Sequence, residues 1–195
     1  GAGGFIGRHV LAELLAHGHE VIAVVRDVSE LDLAFPAARF VTLDLTRATH
    51  ARDWAVHLDG VEMIVNAAGL LRGRAMAAVH IDAPRALYAA AHEKGVRRAV
   101  LLSAISARAD VPTDYARTKL AGEAVLRDSG VPFTIVRPSL IYGDGSYGGT
   151  SLLRGLAGMP LVTPVAGDGR FTFTPLHVAD LARTIRLICE EDRFS

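Results

Sequence analysis

What this 195-residue chain has little of narrows its possible functions first. It contains one cysteine, Cys189, which excludes an internal disulfide. No cysteine or carboxylate cluster stands beside its eight histidines, so no metal site is expected. Lys plus Arg and Asp plus Glu balance at 21 each, leaving no excess charge to draw in nucleic acid or an anionic membrane surface. No apolar run approaches the roughly 20 residues that span a bilayer, and no signal-peptide pattern appears. These absences lead to the expectation of a cytoplasmic protein without membrane contact.

Half of the residues are hydrophobic, enough for one domain with a substantial core, and no internal repeat or low-complexity tract interrupts them. Apolar β-branched runs alternate with helical periodicity. RHVLAELLAH (8–17) places Val10, Leu11, Leu14 and Leu15 on one helical face before Gly18. EVIAVVR (20–26), ARFVTLDL (38–45), VEMIVNAAG (61–69), RRAVLLSAIS (97–106) and VPFTIVRP (131–138) read as buried strands with polar exits. Helices are expected over 83–94, with Pro84 in the first turn and Gly95 as its stop, and from Tyr115 to Ser129. Such β-α-β repetition predicts an α/β fold, a doubly wound parallel sheet of Rossmann type over residues 1–195. Residues 141–195 are expected to form a small substrate-side cap. A short helix is expected near 151–157 and a final helix over about 177–190.

GAGGFIGRHV (1–10) spaces Gly1, Gly4 and Gly7 immediately before a helix. That pattern suits a tight turn, close approach of a pyrophosphate, and tight helix packing. The helix N-terminus offers N–H groups and a positive dipole end to phosphate. Gly1, Gly4, Phe5, Ile6 and Gly7 are therefore candidate cofactor contacts, and the sheet's first strand is expected upstream of residue 1. Arg26 at the end of the second run favours a ribose 2′-phosphate, hence NADP, while the adjacent Asp27 keeps NAD as the alternative. Asp44 and Leu45 would frame the adenine, although Asp44 equally suits a helix N-cap. Ala67, Ala68 and Gly69 are small residues of the kind a backbone carries where it passes close to a cofactor. Arg72 and Arg74 fit an exposed loop more simply than a phosphate contact.

DYARTKLAGE (114–123) carries Tyr115 and Lys119 at i, i+4, on one face of a helix. An ammonium beside the phenol should lower its pKa and make Tyr115 a general acid/base. Ser103, with Ser106 as the competing choice, supplies a hydroxyl for a substrate oxygen. His177 and Asp180 are expected to be structural, and Trp54 to belong to the core.

GAGGFIG, VNAAG, VLLSAIS, YARTK and IVRPSLIYGDG together resemble the short-chain dehydrogenase/reductase superfamily over nearly the whole chain. The likeness is greatest to its extended and atypical members, the nucleoside-diphosphate-sugar epimerases and the complex I accessory-subunit relatives. FTFTPLHVADLA (171–182) is similar to a segment those members carry towards the C-terminus. The resemblance implies that Tyr115 serves as acid/base, Lys119 as ribose ligand, and Ser103 as the family serine. Pro138, Ser139 and Leu140 would line the nicotinamide side. Two departures stand out. His80-Ile81-Asp82-Ala83-Pro84 replaces the run where such members carry a relay asparagine, and the sequence ends at Ser195 before the longer C-terminal region of such members, as expected of either a fragment or a protein with a different substrate. The resulting expectation is an NADP-dependent oxidoreductase or epimerase acting on a small-molecule carbonyl or alcohol carbon, with a homodimer left open. The alternative is an NADPH-binding regulatory or assembly subunit without turnover; the intact Tyr115/Lys119 pair argues against it, and the altered His80–Pro84 run argues for it.

Overall fold

The computed structural model describes residues 1–28, 30–146, 155–156, 158, 168–170, 172 and 174–191. Most of the helix expected near 151–157, and Phe171 and Phe173 of the FTFTP stretch, lie outside them. Helix α1 (Phe5–Ala16) leads to β1 (Ile22–Val25), and a single turn, α2 (Leu31–Ala34), precedes β2 (Arg39–Thr42). After α3 (Ala51–Ala55) come β3 (Met63–Asn66), a π-helical turn (Ala78–Asp82), α4 (Ala83–Glu93) and β4 (Arg98–Leu102). Helix α5 (Asp114–Arg127), strands β5 (Phe133–Val136), β6 (Ile141–Tyr142) and β7 (Leu176–His177), and helix α6 (Val178–Glu190) complete the order.

All pairings are parallel: β1 with β2, β3 with β4 with β5, and β6 with β7. Strand β4 shows why the fold is doubly wound. Every residue of it is buried, and its period-2 alternation divides them between two layers. Ala99 and Leu101 join Trp54, Leu87, Tyr88 and Leu126 on one side. Val100 and Leu102 join Val10, Leu181 and Ile185 on the other. Helix α6 therefore belongs to the helical layer beside α1, with Val178, Leu181 and Ile185 in the core.

Strands β1 and β3 border a cleft of about 1020 Å³, lined by Ile22, Ala23 and Val24 on one side and Met63, Ile64 and Val65 on the other. Gly1 lies at one end. Its nitrogen donates to the Val24 carbonyl at 3.3 Å, and a Cβ on it would sit 2.6 Å from the Ala68 nitrogen.

Candidate active site

The parallel strands end on one edge of the fold, and the expected site residues follow those ends. The glycine turn is closed by the Gly4 N–H donating to the Gly1 carbonyl at 3.1 Å. Gly4 is the N-cap of α1, and no side chain caps the helix. The first turn also carries no acidic residue, so its positive end is open to an anion. Gly7 has to be glycine, because a Cβ there would meet the Gly1 carbonyl oxygen at 2.0 Å. This close approach brings the helix N-terminus against the turn.

Beyond β1, Arg26 is exposed and near enough to Asp44, beyond β2, to help hold the Asp44 carboxyl below its usual range. The larger causes are the Thr46 N–H and hydroxyl, which donate to Asp44 Oδ1 at 2.9 and 2.8 Å. These bonds close a local turn at Asp44; the helix that follows, α3, has His50 as its N-cap. Leu45 packs part of its surface on the core.

Beyond β3, the loop is held from two directions. Asn66 Oδ1 accepts from the Ala68 N–H at 3.1 Å, and its Nδ2 donates to the Tyr88 hydroxyl at 3.0 Å. Lys119 reaches it from α5. Its Nζ donates to the Ala68 carbonyl at 3.3 Å and to the Leu102 carbonyl at 2.9 Å. Ala67 packs on the α1/α6 side of the core, and a Cβ on Gly69 would stand 3.1 Å from Lys119 Nζ. Burial pulls the Lys119 ammonium down to about 8, against the opposing attraction of Glu123.

Helix α5 starts where Thr113 Oγ1 accepts from the Ala116 N–H at 3.1 Å. Tyr115 follows in the first turn, half-buried, its ring meeting His80 edge to face at 5.9 Å between centroids. Here one expectation is corrected. Burial raises the Tyr115 pKa, whereas the sequence led us to expect Lys119 to lower it. The reason is geometric, since the Lys119 ammonium is directed at two backbone carbonyls.

Ser103 lies just beyond the end of β4. It is 4% exposed, and its Oγ donates to Glu123 Oε1 at 2.6 Å. A hydroxyl has one proton to donate, and this one goes to a buried carboxylate, leaving the oxygen's lone pairs as acceptors. Arg137 Nε at 2.7 Å and Arg127 at 2.8 Å complete the partners of that carboxylate. Ser106, half-buried in the loop beyond β4, is the remaining serine of the two.

Pro138, Ser139 and Leu140 run along the same edge. The Pro138 carbonyl accepts from the Ile105 N–H at 3.0 Å, Leu140 accepts from the Leu176 N–H at 2.9 Å, and Ser139 bonds to the Thr174 carbonyl. Arg72 and Arg74 are exposed. His177 caps α6, accepting from the Ala179 N–H. Among the described residues no group of three or more His, Cys, Asp or Glu could hold a metal, and no helix is long and apolar enough to cross a membrane.

His80 is the residue whose role sequence reasoning missed. It appeared only as a departure from a familiar run, and its burial between the β3 loop and α5 has no one-dimensional signal.

With this geometry in place, comparison with known proteins is decisive for the family. A family model described as NAD(P)H-binding matches residues 1–158. The chain belongs to that family. Ceramide reductase of Caulobacter vibrioides is 29% identical over 194 residues, covering 97% of this chain and 59% of that protein. NADH dehydrogenase (ubiquinone) 1 alpha subcomplex subunit 9 of Mus musculus is 28% identical, covering 95% of this chain and 50% of that protein. The solved structure of MoeE5 in complex with UDP-glucose and NAD matches with a TM-score of 0.71 at 26% identity, covering 96% of this chain and 69% of that one. This NAD(P)H-binding chain thus spans half to about three fifths of these curated relatives. The resemblance to extended and atypical short-chain dehydrogenase/reductases holds, and with it an oxidoreductase- or epimerase-like NAD(P)-binding domain.

Proposed function

We propose that the chain is the cofactor-binding part of an NADP-dependent oxidoreductase or epimerase that acts on a carbonyl or alcohol carbon of a small molecule. The carrying observation is the convergence of Tyr115, Lys119 and the Ala67–Gly69 loop on the edge that also holds the uncapped start of α1. The residues present fit a dinucleotide. Gly1, Gly4, Phe5, Ile6 and Gly7 would hold its pyrophosphate at the α1 N-terminus. Arg26 would take the 2′-phosphate. Asp44 and Leu45 would flank the adenine, Ala67 to Gly69 would pass beneath the cofactor, and Pro138 to Leu140 would border the nicotinamide. When bound, the nicotinamide exchanges hydride with the reacting carbon.

Tyr115 Oη holds the proton that joins or leaves the substrate oxygen. Its raised pKa keeps it protonated at neutral pH, the form a general acid needs. Lys119 fixes the loop through the Ala68 carbonyl and has a charged head available to the ribose. With Ser103 held by Glu123, the reading assigns the orienting hydroxyl to Ser106. Leu71 and Ile105, exposed beyond β3 and β4, give the same edge apolar surface, which is compatible with a lipophilic substrate such as that named for the ceramide reductase relative.

The β1–β3 cleft supports a further part of this reading, a parallel strand leading into Gly1. Such a strand would be flanked by apolar residues on both sides and would end at the glycine turn.

Dissociation constants for NADPH and NADH test the cofactor assignment. NADPH is expected to bind at least tenfold tighter, with the preference lost in Arg26→Ala. A native preference for NADH overturns it.

A further inference from the structure

His80 is 4% exposed and sits in the π-helical turn, where the Ala83 N–H reaches back five residues to the Ala78 carbonyl. Both of its ring nitrogens are engaged. The Leu70 N–H donates to Nε2 at 2.9 Å, and Nδ1 lies 2.8 Å from Thr118 Oγ1. A backbone N–H can only donate, so Nε2 carries no proton. The neutral ring then bears its proton on Nδ1 and gives it to Thr118. The Thr118 hydroxyl passes its own proton on to the Asp114 carbonyl at 2.8 Å, one turn back along α5. The donors therefore run in one direction, from the loop beyond β3, through His80 and Thr118, to the first turn of α5.

The placement is reinforced by packing. A Cβ on Gly122 would lie 2.3 Å from the His80 carbonyl oxygen, so only glycine lets α5 approach the π turn this closely. Thr118 stands between Tyr115 and Lys119 on α5, and the His80 ring rests edge to face on the Tyr115 ring. The same ring is close to the Gly69 backbone, where a Cβ would stand 3.6 Å from Nε2. One side chain thus touches both halves of the candidate site.

We propose that His80 is a positioning residue which, as the neutral Nδ1–H tautomer, holds the Ala68–Leu70 loop in register with Tyr115 and Lys119. It touches Tyr115 and the loop rather than the reacting atoms. The proposal rests on reading Tyr115 and Lys119 as the working pair, and it can fail while that reading stands.

The test has two arms in the full-length protein. The first is ¹⁵N NMR of the His80 ring at pH 7, which needs neither substrate nor cofactor. A protonated Nδ1 and bare Nε2 are expected, and an Nε2–H tautomer or an imidazolium overturns the clamp. The second is the NADPH dissociation constant of Thr118→Val, Thr118→Ser and His80→Ala. About a tenfold weakening is expected in Thr118→Val and His80→Ala, with Thr118→Ser within twofold of native. Equal affinity in all four proteins overturns the positioning role, as does an equal loss in Thr118→Ser and Thr118→Val. Absence of NADPH binding by the native protein overturns the cofactor reading and with it this role for His80, whatever tautomer the first arm finds.

Discussion

Ser103 and Glu123, twenty residues apart, share a 2.6 Å hydrogen bond inside the fold, with the Glu123 side chain fully buried. The bond joins the end of β4 to α5, and Arg137 brings β5 to the same carboxylate. Burial alone would raise the carboxyl pKa, but donation from Arg137, Ser103 and Arg127 more than offsets it and holds Glu123 below its ordinary range.

Removing one partner of a buried charged cluster leaves the others without compensation. Both arginines are partly exposed and can rehydrate, which moderates the loss. Glu123→Ala should therefore destabilise by about 2–3 kcal/mol, and Glu123→Gln by less because an acceptor for Ser103 remains. Ser103→Ala should lower the denaturation midpoint without a selective loss of kcat. A carboxyl with a depressed folded pKa contributes stability that is complete above its unfolded value of about 4.5 and is lost as pH falls further. Urea titrations at pH 7 and pH 4 measure both effects.

A second acid-sensitive contribution comes from His80, whose pKa burial and the Lys119 charge lower to about 4. The groups facing its ring are Tyr115, Thr118 and Lys119 on α5 and the Leu70 amide from the loop. Since the folded value lies below the unfolded 6.5, the unfolded chain binds the proton more readily between these pH values. Stability should rise between pH 4 and 6.5, by up to about 3 kcal/mol, and be flat in this contribution above that. His80→Gln, which cannot titrate, should show a shallower rise across that interval.

The β1–β3 cleft gives a prediction about the fold itself. Joining about six Val- and Ile-rich residues ahead of Gly1 should raise the melting temperature above that of the 195-residue chain, by covering apolar surface on both strands. An equal or lower melting temperature would argue against a strand at that position.

How far the sequence anticipates these features depends on whether each is local. The turn at Gly1–Gly7 was legible because its requirements lie within seven residues, and the structure supplies the close contact at Gly7. Strand β4 was legible because RAVLL is apolar throughout and buried on both faces. Short α2 and α3, at four and five residues, carry too little periodicity to register. The i, i+4 spacing of Tyr115 and Lys119 was visible, yet it misled about their electrostatics. Spacing places two side chains on one face but does not say where an ammonium points. Lys119 points at carbonyls from the ends of two strands, and Ser103 at a helix twenty residues on. Both are long-range choices made by packing. The π turn has no period of its own in the sequence, so His80 could not be placed before the fold was known.

The central claim is that Tyr115 moves a proton during NADPH-dependent turnover. It is tested most directly by NADPH oxidation with a panel of carbonyl substrates, comparing the full-length native protein with Tyr115→Phe. The expected outcome is a fall in kcat of at least a hundredfold with the NADPH dissociation constant unchanged. Full turnover by Tyr115→Phe on a substrate the native protein reduces would contradict it.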